Sequence, residues 1–183
     1  MRVHAVFRRG DFKPAADATQ ADADAFFAQL APGVDDPVID RDHAGMAIVA
    51  INPKLAMQMA AMSRFLALDL AFCKRLDLRE LVIQTTHIKS KCGFAFESRL
   101  AGSGKTGISP EQLAALALWR SSSLFNEEQR LVIEYAEAVF DHAVSDELLA
   151  RFVAAFDEKS AIECATVVGF WSCWAMVIDV ARP

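Results

Sequence analysis

Histidine is scarce in this 183-residue chain, and the four present, at positions 4, 43, 87 and 142, lack the spacing of metal ligands. Cysteine is equally scarce. Cys73, Cys92, Cys164 and Cys173 show no paired zinc-ligand spacing, so neither a metal nor any other cofactor is expected. No run of basic residues occurs, and a formal net charge of −5 argues against a nucleic-acid binder, which needs a positive stripe. The N-terminal MRVHAVFRRGDFKP has no apolar stretch long enough for a signal peptide. ATVVGFWSCWAMVIDV, the most apolar segment, is shorter than a bilayer span and reads as a buried helix. A cytoplasmic protein with reduced thiols and no membrane partner is the expectation. Strand alternation is missing after residue 45, and no internal repeat is visible.

What is present is apolar and helical. A hydrophobic content of 54% suffices for a substantial core without staples. Residues 1–45 are rich in Ala and Asp and carry Pro14, Pro32 and Pro37, which predicts turns and at most one helix, near Ala21 to Leu30. Beyond them, helix-start signals recur. Asn52 with Pro53, Ser109 with Pro110, Asn126, Ser145 and Ser160 each precede an apolar periodic segment. Asp77 with Glu80 resembles a capping box opening LRELVIQTTHIKS. The reading is all-α, a single compact helical domain of six to seven helices, with an extension over 1–45 and a helical body over 46–183.

GSGKTG, ending at Gly107, imitates the tail of a phosphate-binding loop, but Arg99 stands where that motif needs its first glycine. The context is also reversed, because a helix runs into the glycines instead of starting after them. Gly102, Gly104 and Gly107 read as a helix stop, with Lys105 near the helix end.

Cys92 and Arg99 give the neighbouring stretch its chemical interest. In one unbroken helix Glu80 and Cys92 would be about 18 Å apart along the axis and could not meet. Thr85, Thr86, Ser90 and Gly93 weaken that helix, and Ser90 is an acceptable N-cap for a second one. A break there would put Cys92 in a first helical turn, where amides and the helix dipole favour thiolate. Cys92, Ala95 and Arg99 would share one face, Arg99 adding positive charge and Glu80 acting as proton acceptor. His87 lies on the helical face of Glu80, Gln84 and Lys91 and is the nearest substitute base. Against these roles stand plainer ones: Cys92 as a small buried residue, Glu80 as a capping partner, Arg99 as a surface ion-pair donor and His87 as a structural histidine.

RELVIQTTHIKSKCGFAFESRLAGSGKTGISPEQLAAL, followed by NEEQRLVIEYAEA, SDELLARFV and a closing apolar helix, resembles the carboxymuconolactone decarboxylase and alkylhydroperoxidase D superfamily. The resemblance covers residues 50–183. Family peroxidases carry a glutamate in the R-E-L segment and, twelve residues on, C-x-x-C followed by x-x-x-H. Glu80 and Cys92 match the glutamate and the first cysteine. Ala95 replaces the second cysteine, the one that attacks peroxide in the family, and Arg99 replaces the histidine. Relatives with an aromatic, glutamate, aromatic pattern are echoed only in Phe94 and Phe96.

The resemblance implies the alkylhydroperoxidase D-like fold and a thiol-dependent oxidoreductase acting on peroxides. It implies a small-molecule substrate, a thiol electron-donor protein and a homo-oligomer, as dimer, trimer or hexamer. Without a thiol at position 95 the local dithiol cycle cannot close, and Cys73 is a stand-in for the resolving thiol. An arginine cannot replace the histidine of the decarboxylases as a base. A non-catalytic oligomeric or ligand-binding protein of the same fold, and a lactone decarboxylase-like enzyme, are the alternatives.

Overall fold

Short polar capping signals set most helix starts in the computed structural model, which describes residues 2–182. Thr19 and Asp22 form a reciprocal capping box at α1 (Gln20–Leu30). Two further helices precede the central segment, α2 (Ala44–Val49) and α3 (Pro53–Leu68), the latter started by Asn52, whose side chain accepts from the Leu55 amide at 3.1 Å. Then follow α4 (Leu76–Lys89), α5 (Gly93–Ser103), α6 (Pro110–Ala115), α7 (Glu127–Phe140), α8 (Asp146–Ala155) and α9 (Glu158–Ala181). Ser109 with Gln112 and Asn126 with Gln129 close the expected capping boxes of α6 and α7, and Ser145 caps α8. Nine α-helices and no strand occur among the described residues, so the fold is all-α.

Two more helices than the upper expected count arise because α2 has no polar N-cap signal and because the segment around Cys92 divides into α4 and α5. Three other expectations need correction. Helix α4 starts at Leu76 after Arg75, and Asp77 pairs with Arg75 at 3.2 Å, so Glu80 is not a capping-box partner. Helix α9 starts at Glu158 rather than Ser160, because Asp157 accepts from the Ser160 amide at 2.5 Å. PEQLAALALWRS is not one helix: α6 passes at Leu116 into 3-10 geometry, and Leu118 leaves helical geometry with φ −118° and ψ 27°.

Residues 2–65 with 176–182 form one compact unit, and residues 66–175 form another. The second unit holds the whole segment of chemical interest. Helix α4 is its centre, buried continuously from Glu80 to His87 and packed against α7 and α5. Leu78, Val82 and Ile83 of α4 join Val132 and Tyr135 of α7, Phe152 of α8 and Val167 of α9 in one core. Leu81 turns instead to Ile133, Ile108, Leu113 and Trp119 in a second core. A helix enclosed by two apolar clusters has little solvated face, which explains why its polar residues are buried too.

The apolar segment near the C-terminus was expected to be shorter than a bilayer span. The helix containing it runs to 24 residues with mean hydropathy 1.6, long and apolar enough to cross a membrane by those criteria alone. Its residues Ala161, Cys164, Val167, Val168 and Trp171 nevertheless pack into the first core, as a core helix requires.

Candidate functional site

The break between α4 and α5 falls directly ahead of Cys92. Ser90 ends α4 as its C-cap, and Lys91 takes left-handed geometry at φ 54°. The Cys92 amide reaches back to the His87 carbonyl at 3.1 Å and the Lys91 amide to the Ile88 carbonyl at 3.0 Å. Those two bonds define a Schellman motif, formed here without glycine at the left-handed position. Cys92, not Ser90, is the residue that opens α5, with φ −94° and ψ 82°, and it is 8% exposed. It therefore lies at the helix N-terminus, where the amides and dipole favour a negative sulfur.

The turn brings α5 back along α4. Arg99 donates from Nε to Glu80 Oε1 at 3.2 Å and from Nη2 to Glu80 Oε2 at 2.5 Å. This two-pronged pair engages both carboxylate oxygens of a residue that is 1% exposed. Ala95 is buried on the same helix. Arg79, adjacent to Glu80 in the chain, donates instead to the Ala67 carbonyl at 2.6 Å. Burial first, and repulsion from Arg99 second, depress the proton affinity of Arg79.

His87 is buried beside this pair. Its Nδ1 lies 3.2 Å from Gln84 Oε1, and Gln84 Nε2 donates to the Phe96 carbonyl of α5 at 3.3 Å. Burial, and then the positive charge of Arg99, push the imidazole down to about 3, so it is neutral near pH 7. Lys91 does not share this face, because the left-handed turn carries it off the helix.

Cys73 lies in the apolar core, where burial pushes its thiol up to about 12, and Cys164 in the same core is raised for the same reason. Cys173 is exposed, and none of the four cysteines is joined in a disulfide. Among the described residues no cluster of three or more His, Cys, Asp or Glu could hold a metal ion. Glu80, His87, Cys92 and Arg99 thus share the α4–turn–α5 corner. Sequence reasoning did not give Gln84 a role; its position three residues before His87, on one helical face, was the available signal.

A two-helix corner of this kind, with a thiol at the turn and an acid facing the second helix, sits in an all-α fold of the alkylhydroperoxidase D-like type. A crystal structure from Agrobacterium tumefaciens, of a protein of unknown function proposed to be an antioxidant defence protein, AhpD, matches with TM-score 0.63 at 16% identity, covering 73% of this chain and 92% of that one. At that identity the likeness is one of fold. The uncharacterized protein YnjA of Escherichia coli (strain K12) is 43% identical over 67 residues, 36% of this chain. The matched stretch spans about a third of that relative's length, 36%. No family model matches the chain.

Proposed function

We propose that this protein is a single-cysteine thiol oxidoreductase that reduces hydroperoxides, with Cys92 as its redox atom. The observation supporting this most directly is the turn that seats Cys92 at the N-terminus of α5. In the first step the Cys92 thiolate attacks a peroxide oxygen. A sulfur–oxygen bond forms as the oxygen–oxygen bond breaks, giving sulfenic acid and an alkoxide that takes a proton from solvent. Ala95 offers no resolving thiol and Cys73 is sealed in the core, so an external thiol donor completes the cycle. One donor thiol forms a mixed disulfide with Cys92 and releases water. A second displaces the first, restoring Cys92 and leaving the donor as a disulfide.

In this reading Glu80 and Arg99 neutralise one another and hold the corner closed, while His87 supplies an uncharged polar group. A homo-oligomer accompanies the proposal, supported by the exposed stripe Ile162, Thr166, Gly169 and Cys173 along α9 at coiled-coil spacing. Reduced thiols fit a cytoplasmic setting.

The bond between Arg99 and Glu80 favours a second reading, a non-catalytic protein of the same fold, because it commits to structure the two groups that family chemistry would use. A lactone decarboxylase-like activity is less favoured, since Arg99 offers no lone pair to accept a proton. Organic hydroperoxide consumption in the presence of a dithiol donor separates these readings. Activity lost in Cys92→Ala supports the oxidoreductase; absence of turnover in the unmodified protein, with Cys92 no more reactive than an ordinary thiol, supports the scaffold.

A further inference from the structure

Gln84 has no role in the chemistry described above, yet it is fully buried and spends both ends of its amide on specific partners. One partner is a backbone carbonyl, which can only accept. The nitrogen end must therefore face Phe96, and the oxygen end must face His87. An amide oxygen only accepts, so the imidazole nitrogen opposite it must carry the proton. That nitrogen is Nδ1. We infer that Gln84 is a positioning residue which, anchored on the Phe96 carbonyl of α5, holds His87 as its Nδ1–H tautomer and leaves Nε2 as the lone-pair acceptor of the ring.

The His87 carbonyl accepts from the Cys92 amide, so the residue that carries the ring is tied through its backbone to the thiol-bearing turn. In the oxidoreductase reading an uncharged acceptor suits a hydroperoxide, whose O–H can donate to Nε2. An imidazolium could not accept that bond, and the opposite tautomer would present a donor. Glu80 cannot substitute, because both its oxygens are held by Arg99. This catalytic consequence rests on the oxidoreductase reading; the tautomer assignment does not.

The test uses the full-length protein labelled with nitrogen-15 at histidine, with the His87 signals identified by their loss in His87→Gln. Long-range proton–nitrogen correlation at pH 7 is expected to show a protonated, pyrrole-type Nδ1 and a bare, pyridine-type Nε2. Gln84→Met, near in size, is expected to give a mixture of the two tautomers. A wild-type ring protonated on Nε2, or an unchanged single tautomer in a folded Gln84→Met, overturns the inference. If that variant does not fold, the wild-type spectrum alone decides. In the kinetic arm, Gln84→Met is expected to slow hydroperoxide reaction at Cys92 by about tenfold or more. Its reaction with iodoacetamide, which has no O–H to orient, is expected to be unchanged. Equal slowing of both overturns the positioning role. A wild-type protein inert to hydroperoxide removes the oxidoreductase reading and leaves the tautomer result standing.

Discussion

Arg99 binds Glu80 with two parallel hydrogen bonds across nineteen residues of chain, joining the second turn of α5 to the first half of α4. Glu80 is sealed from water while the Arg99 side chain keeps 31% exposure, so the pair is a buried acid held by a partly solvated base. Removing the base should cost more than removing both. Arg99→Met is expected to destabilise the protein by about 3 kcal/mol, because it strands a buried carboxylate. Glu80→Gln with Arg99→Met should recover most of that loss. Urea unfolding of the two singles and the double measures the coupling; a value near zero would assign the pair the weight of an ordinary surface ion pair.

The neutrality of His87 gives a prediction about acid. Its ordinary value of 6.5 applies in the unfolded chain, and burial takes it to about 3 in the fold. Between those limits the unfolded state binds one proton more than the native state, so stability rises with pH there and is lost as pH falls. The loss amounts to about 1.4 kcal/mol per pH unit and about 5 kcal/mol in all. His87→Gln should remove this one-proton slope. Melting temperatures of both proteins from pH 7 to pH 4 check the difference; parallel curves would mean that His87 titrates as an exposed histidine does.

Thiol reactivity should divide the four cysteines into two classes. Cys173 is exposed, and Cys92, though buried at 8% exposure, lies at a helix N-terminus, whereas burial raises the thiols of both Cys73 and Cys164. Brief alkylation of the native protein, read by peptide mass, should label Cys92 and Cys173 and spare the other two until denaturant is added. Early labelling of Cys73 would show that its core opens, and would restore it as a resolving partner.

Much of this arrangement was legible from short polar signals. Asn52, Ser109, Asn126 and Ser145 mark helix starts because a side-chain oxygen satisfies an otherwise unpaired amide, a local effect that sequence records directly. The break before Cys92 was anticipated from weak helix formers, but its position was not, because the left-handed residue is Lys91 rather than glycine. Least visible were the long-range choices. Whether Asp77 or Arg99 would claim Glu80 depends on how α5 folds back, and Gln84 gains meaning only once the Phe96 carbonyl stands beside it. α2, with its run of buried small and apolar residues, carried no polar start signal to find.

Lys91 supplies the most direct control on that turn. A lysine at φ 54° sits in a region that costs a side chain about 1 kcal/mol relative to glycine. Lys91→Gly should therefore stabilise the protein by about 0.5 kcal/mol, the rest being offset by the greater freedom of glycine in the unfolded chain. Lys91→Val should destabilise it, since a branched side chain tolerates that geometry least. Lys91→Pro is the severe case: it forces φ negative and removes the amide that bonds the Ile88 carbonyl. With the turn undone, Cys92 loses its place at the head of α5, and its alkylation rate should fall to that of an ordinary thiol while Cys173 is unchanged. If Cys92 reacts equally fast in Lys91→Pro and in the unmodified protein, its reactivity owes nothing to the corner, and the argument from helix geometry to redox chemistry fails.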